Sequence, residues 1–417
     1  MKWLFGAAAG SLSLLITASA LADGHNVPER PTPGIDLVNL ARQTYIFQLS
    51  SDASPSEVQR IAREAAGIGG GRPTHIYTAV MRGFSAQVSD ADLIEIEDQF
   101  PEIVSVQRSN IFTISKGKPP STPGSGGGGS GDTTSGGEIV PWGVARVLPE
   151  NNGKAEMQDG TASGKTLWVL DTGVDLNNAD LNVDTGRSHN CVAAIGFRGK
   201  DTPDDENGHG THVAGTAAAI DNDLDVVGVA AGAPVVSVRV LDRRGSGTTA
   251  EVVCGIDYVV AHGTQGDVIN MSLTGPVDTV LDDAVLRGAD AGILFSLAAG
   301  NEGSDANSRS PARVKHANVY TVSAIDSSDR FASFSNYGNP PVDRAAPGVN
   351  VVSLKRGGGT DTKSGTSMAA PHVAGLLILG NVGCQGTAIN DPDNDNDPIA
   401  YLGGTSCPDP DGPGPSM

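Results

Sequence analysis

The chain has 417 residues, enough for more than one domain and a large core, with 38% hydrophobic but only 4% aromatic side chains. Its formal net charge of −20 and pI of about 4.6 speak for solubility and against nucleic acid or anionic membranes as partners. Its four cysteines, an even number, fit an exported protein with disulfides.

Lys2 precedes an apolar run over 3–16, and Ala20-Leu21-Ala22 follows it. A positive start, a short apolar core and an A-x-A end predict a secretory signal peptide over 1–22. The protein is therefore expected to be secreted, with the periplasm as the alternative. No other stretch is long and apolar enough to cross a bilayer. Residues 23–42, polar and proline-containing, predict a mobile arm. Residues 43–115 predict a small α+β domain. Its strands fall at 45–49, 74–80, 83–88 and 103–114, and its helices at 56–66 and 91–100. The order β-α-β-β-α-β gives a ferredoxin-like split-βαβ sandwich. Residues 116–137 are a Gly/Ser/Pro linker, flexible and open to cutting.

From residue 138 apolar strands (166–170, 191–197, 234–241, 267–273, 292–297, 318–324) alternate with helices (209–220, 249–261, 280–289). That is the pattern of an α/β domain, here 138–383, with a parallel sheet covered by helices. Such sheets carry their sites at the carboxyl ends of strands. An irregular acidic tail is expected over 384–417. Within it Asp391-Pro392-Asp393-Asn394-Asp395-Asn396-Asp397 lacks the glycine and closing glutamate of an EF-hand loop, and reads as a solvated or loosely ion-binding loop. Of the three cysteine pairings, Cys191–Cys254 and Cys384–Cys407 keep each bridge within one region.

Three stretches carry chemistry. Gly365-Thr366-Ser367-Met368-Ala369-Ala370-Pro371-His372 is a small-residue turn entering an apolar helix over 368–379. Ser367 stands at the helix start, where backbone N–H groups and the helix dipole converge; an N-cap serine is the plain alternative. Pro371 is expected in the first turn. Leu167-Trp168-Val169-Leu170-Asp171 puts a carboxylate at the end of a buried strand. Asn207-Gly208-His209-Gly210-Thr211-His212 puts a histidine at the start of a helix. A serine hydroxyl needs a base with a pKa near neutral, hence histidine. The imidazole in turn needs a buried carboxylate to fix its tautomer.

The three motifs, in the order Asp171, His209, Ser367, resemble those of the subtilisin family of serine proteases over about 138–380. The resemblance implies a subtilisin-like fold and a serine endopeptidase that acts on proteins or peptides through an acyl-enzyme, with no cofactor for catalysis. It makes Asp171, His209 and Ser367 the triad, with Asn301 and the Ser367 N–H as oxyanion donors. His209 rather than His212 is the base, and His212 and His372 are packing or hydrogen-bonding residues. Gly245-Ser246-Gly247 and Ser272-Leu273-Thr274 match the segments that flank an extended substrate, with Glu302 at a pocket rim. Thr274 stands where the family usually has glycine, and Thr249 where many members have tyrosine.

The first domain, by Gly83-Phe84-Ser85-Ala86, resembles the family's propeptide. That implies a self-processing zymogen whose own propeptide is an intramolecular inhibitor, with 112–115 lying in the active site as a bound product. By length, the scissile bond falls near Ser115-Lys116. The resemblance also implies a structural calcium ion, held by the side chains of Asp180, Asn222 and Glu138 and the carbonyls of Ile220, Leu224 and Val226. Asp225 stands there where the family often has glycine. A monomer is expected. The alternatives are a non-catalytic binding protein on the same fold and a narrow-specificity processing protease. An esterase would show Gly-x-Ser-x-Gly and the order Ser…Asp…His, and neither is present.

Overall fold

The computed structural model describes residues 40, 43–114, 132–135, 137–151, 154–155, 157–192, 199–405 and 407. The expected signal peptide, the arm apart from Leu40, most of the linker, the Ser115-Lys116 bond and the strand expected beyond Val192 lie outside these residues.

The first unit comprises β1 (Thr44–Leu49), α1 (Pro55–Ile68), β2 (Pro73–Tyr77), β3 (Gly83–Gln87), α2 (Asp90–Gln99) and β4 (Ile103–Arg108). Both helices start where their sequences provide caps. Ser54 accepts the Glu57 N–H ahead of Pro55, and Ser89 and Asp92 form a reciprocal capping box. In α1, Val58, Ile61, Ala62, Ala65 and Ala66 recur at helical spacing and are buried against Phe47, Phe84 and Phe100. The sheet is antiparallel with order β2-β3-β1-β4. Ile46, Tyr77, Val80 and Met81 belong to a second apolar cluster shared with the large domain.

The last strand of this unit differs from expectation. The run over 103–114 breaks at Ser109-Asn110, and β5 (Ile111–Ile114) leaves the small sheet altogether. Polar Ser109 and Asn110 interrupt the apolar run, and their partners lie in the large domain: Ser109 Oγ accepts the Ala250 N–H at 3.1 Å, and Asn110 N–H donates to Thr249 Oγ1 at 2.7 Å. Where the linker was expected to run on to 137, β6 (Thr133–Ser135) pairs antiparallel with β7 (Glu138–Val140). A short helix, α3 (Trp142–Val147), follows.

The large domain is built on a nine-stranded sheet. In chain order its strands are β8 (Leu167–Asp171), β9 (His189–Asn190), β10 (Val235–Arg239), β12 (Val268–Met271), β14 (Leu294–Ala298), β15 (Val319–Ile325), β16 (Val342–Pro347), β19 (Gly383–Thr387) and β20 (Pro398–Tyr401). The spatial order is β9-β10-β8-β12-β14-β15-β16-β20-β19, parallel throughout except for β19 at one edge. Two short strands, β11 (Ser246–Thr248) and β13 (Leu273–Thr274), stand apart from it, as does the hairpin of β17 (Val351–Leu354) and β18 (Thr360–Lys363). Helices α4 (His209–Ala218), α5 (Thr249–His262), α6 (Thr279–Asp290) and α7 (Thr366–Leu379) cover the sheet. The strands are apolar on both faces because two separate clusters bury them, one around α4 and α7, the other around α5 and α6.

The tail beyond 383 is not irregular as expected. Its strands β19 and β20 finish the sheet, and Ile399 and Ala400 are fully buried. Both expected disulfides, Cys191–Cys254 and Cys384–Cys407, are formed. Closing a loop of 23 residues contributes about 3 kcal/mol on the chain-entropy account. Replacing Cys384 and Cys407 together by serine is expected to lower the melting temperature by about 6–12 °C, read by differential scanning calorimetry.

Candidate active site

Strand β8 ends at Asp171, and α4 begins at His209. Gly208 precedes it with φ 102°, a left-handed turn that favours glycine. Gly210 allows the close crossing of the two elements, since a Cβ there would lie 2.0 Å from the Gly173 carbonyl oxygen. His209 Nδ1 thereby sits 2.8 and 3.0 Å from the two Asp171 oxygens, with Asp171 fully buried. The Thr172 N–H also donates to Asp171 Oδ1 at 2.7 Å, fixing the carboxylate. A buried carboxylate on Nδ1 holds the imidazole with Nε2 as its acceptor face. His209 Nε2 is buried and makes no hydrogen bond.

Helix α7 opens with Thr366, and Ser367 is its second residue, so Ser367 is not the N-cap; Gly365 is. Pro371 lies inside the helix rather than in its first turn. The missing N–H at Pro371 would otherwise have bonded the Ser367 carbonyl. Ser272 Oγ donates to that carbonyl at 2.8 Å instead. The Ser367 hydroxyl donates back to the Ser272 carbonyl at 3.1 Å. The two serines thus lock the start of α7 onto the segment that leads into β13.

Asn301 follows β14. Its Oδ1 accepts the Thr366 N–H at 2.8 Å, while Thr366 Oγ1 accepts the Gly300 N–H at 3.1 Å. That contact fixes the amide orientation, because only the oxygen can accept from a backbone N–H. Glu302 is exposed; its carboxylate accepts from the Asn336 amide at 2.8 Å and lies 3.5 Å from Arg309 Nε. His212 and His372 are fully buried and bonded to backbone carbonyls: His212 Nε2 to Val351 and Asp361, His372 Nδ1 to Met368. Burial pushes His212 down to about 3 and His372 to about 4, so both are neutral packing residues at neutral pH.

The two predicted substrate segments flank β5. Ser246 pairs with Thr113 and Gly247 with Phe112 on one side; Leu273 pairs with Ile114 and Thr274 with Thr113 on the other, both antiparallel. The Ile114 N–H donates to the Gly245 carbonyl at 2.9 Å. Gly245 has φ 80°, and a Cβ on it would come within 2.5 Å of the Ile114 side chain, so the approach requires glycine.

Sequence reasoning missed two carboxylates that dock the first unit. Asp257 on α5 accepts the N–H groups of Thr78, Ala79 and Val80 at 2.7–3.2 Å. Asp278 accepts from Gln107 and Asn110 side chains and from Thr249 Oγ1 while capping α6. Only a known docking face would have singled them out from the many acidic residues of this chain.

The proposed calcium ligands also converge. Glu138 and Asp180 are nearly fully buried. Asn222 N–H donates to Glu138 Oε1 at 3.2 Å, Val226 N–H to Asp180 Oδ2 at 3.3 Å, and Ile220 N–H to the Asp180 carbonyl at 3.1 Å. Leu224 N–H donates to Asn222 Oδ1 at 2.9 Å. Asp225 adopts φ 28°, in the left-handed region that explains a preference for glycine at this position. Asp180 Oδ1 is buried without a partner. Burial, with Asp221 and Asp223 nearby, pushes Glu138 up to about 7; burial, with Glu138 and Asp225 nearby, pushes Asp180 up to about 7. Two buried carboxylates, one with an orphaned oxygen, fit a hard divalent cation.

Residues 162–379 match the subtilase family. Over 348 residues the chain is 34% identical to the subtilisin-like serine protease AsES of Sarocladium strictum, covering 82% of this chain and 80% of that protein. It is 35% identical over 353 residues to an extracellular serine proteinase of Thermus sp. (strain Rt41A), covering 83% and 76%. A crystal structure of a cold adapted subtilisin-like serine proteinase superposes with a TM-score of 0.53 at 37% identity, over 63% of this chain and 97% of that one. With this fold and these relatives, the chain belongs to the subtilase family and is a subtilisin-like serine endopeptidase.

Proposed function

We propose that the protein is a secreted endopeptidase made as a self-processing zymogen. Ser367 is the nucleophile, His209 the base that takes its proton, and Asp171 the carboxylate that orients and stabilises the imidazole. The Asn301 amide and the Ser367 N–H receive the oxyanion. Residues 43–115 are the inhibitory propeptide, and a substrate occupies the place of β5, between 245–247 and 272–274.

The observation that carries this reading is β5 itself. An extended segment from the N-terminal unit adds as the middle strand between the two expected substrate edges, as a product still bound after cleavage would. His209 Nε2 is left without a hydrogen bond, and catalytic hydrogen bonds of this kind commonly tighten only in the reacting complex. Labelling the matured protein with a serine-directed fluorophosphonate tests the assignment. The label is expected on Ser367 alone, and a labelled peptide elsewhere would sink the triad.

Asn301→Ala is expected to lower kcat by about 10²–10³ with little change in KM, the effect established for the corresponding donor in subtilisin. A fluorogenic peptide assay reads it, and a change confined to KM would give Asn301 a binding role instead.

Glu138, Asp180 and Asn222, with the carbonyls of Ile220, Leu224 and Val226, would hold a structural calcium ion that ties the region ahead of Trp142 to the 220–226 loop. Calcium at 100 times its dissociation constant would add about 2.7 kcal/mol. In an inactive Ser367→Ala chain, free of self-digestion, chelator is expected to lower the melting temperature, and Asp180→Ala to reduce that difference by the share this site contributes. Equal melting with and without calcium would leave 220–226 as an ordinary acidic loop.

A further inference from the structure

The acidic tract 391–397 is unused by the proteolytic reading and lies outside the stretch matched to the family. Rather than a solvated loop, it is a folded turn between β19 and β20. Asp391 and Asp397 are 6% and 0% exposed. Asp397 Oδ2 accepts the hydroxyl of Ser323 on β15, and Asp391 Oδ2 accepts the Asp397 N–H at 3.2 Å. That leaves Asp391 Oδ1, Asp393 Oδ2 and Asp397 Oδ1 buried with no hydrogen-bond partner. From the loop ahead of β16, Asn339 donates its amide to the Asp395 carbonyl at 2.7 Å, and its Oδ1 is likewise buried and unpartnered.

Four orphaned oxygens, three from carboxylates and one from an amide, meet here from two separate loops, and buried polar oxygens are costly unless paired. A proton on one carboxylate would satisfy one oxygen; a hard cation satisfies several at once.

We propose that Asp391, Asp393, Asp397 and Asn339 form a calcium site of their own, separate from the one at Glu138 and Asp180, which fastens the turn ahead of β20 to β15 and to the loop ahead of β16. Four protein oxygens with water completing the shell suit calcium, which takes six to eight oxygens in a forgiving geometry; magnesium demands a stricter octahedron. The three carboxylates do not all approach within 4.8 Å by one oxygen each, so binding draws at least one of them inward. Asp393, only partly buried and bonded through Oδ1 to the Asp395 N–H at 2.9 Å, has room to move.

The test uses the full chain carrying Ser367→Ala and Asp180→Ala, stripped with chelator and titrated with calcium chloride by calorimetry and by thermal melting. One calcium is expected to bind per chain and to raise the melting temperature by about 5–10 °C at a hundredfold excess over its dissociation constant. Asp393→Asn, a near-isosteric change at the least buried of the three carboxylates, should abolish both signals. If Asp180→Ala does not fold, the same loss of one bound calcium on adding Asp393→Asn is read in the Ser367→Ala chain alone. Calcium binding unchanged by Asp393→Asn, or no binding in the folded Asp180→Ala chain, would overturn the site. Magnesium binding tighter than calcium would overturn the choice of ion.

Discussion

Replacing Ser367 by alanine is expected to lower turnover by about a million-fold and to leave the chain at full precursor length. The size is that established for the serine of subtilisin, where the three groups act as a unit, so that losing the nucleophile removes most of what the site contributes. Here the serine is fixed at the second position of α7 through paired contacts with Ser272. Alanine deletes the hydroxyl and its bond to the Ser272 carbonyl, but keeps the Ser367 carbonyl that Ser272 Oγ holds, so the fold should persist. Denaturing gels and N-terminal sequencing read the second half of the prediction. The active chain should begin within 112–139, and the variant should keep 43–115 attached. A variant that is processed normally would mean that another protease matures the chain, whereas one that still hydrolyses peptides at the original rate would remove Ser367 from the mechanism.

Asp171→Asn is expected to reduce kcat by about 10⁴-fold with the fold intact, the loss known from the same exchange in a trypsin-type triad and close to that for removing the aspartate of subtilisin. Asp171 is fully buried and meets His209 Nδ1 with both oxygens, at 2.8 and 3.0 Å. An amide keeps the shape but turns an N–H toward Nδ1. The imidazole then holds its proton on Nε2, and cannot accept the one on Ser367. Circular dichroism and a peptide assay on the purified variant separate this from unfolding. A loss of less than tenfold would show that Asp171 does not set the tautomer.

Much of this arrangement is legible in the sequence because each element is fixed locally. Asp171, His209 and Ser367 stand where an apolar strand or a small-residue helix begins or ends, and the glycines beside them mark the turns. The helices of the first unit are announced by Ser54-Pro55 and by Ser89 with Asp92. What could not be read is non-local. The break at Ser109-Asn110 follows from bonds to Thr249 and Ala250, far along the chain. Pro371 reads as a first-turn residue until Ser272 is found occupying the carbonyl it releases. The tail looks irregular because β19 and β20 are short and flanked by Gly, Asn and Asp; β20 takes its strand character from burial beside β16, and β19 from pairing with β20, rather than from their own pattern. The two docking carboxylates, Asp257 and Asp278, have no local signature.

The double-sided pairing of β5 has a consequence for which bonds in a target protein are cut. A substrate in the place proposed for it, bonded to Gly245–Thr248 on one side and Leu273–Thr274 on the other as β5 is, must be fully extended, with its own N–H and C=O groups released from any helix or sheet. A native target therefore becomes a substrate only in the fraction of time that such a stretch is locally open. Where opening is fast relative to cleavage, the rate on folded proteins follows the free energy of that opening more than the identity of the side chains. Such a protease is a reader of conformational stability, digesting loose and denatured chains while sparing well-folded ones of the same composition.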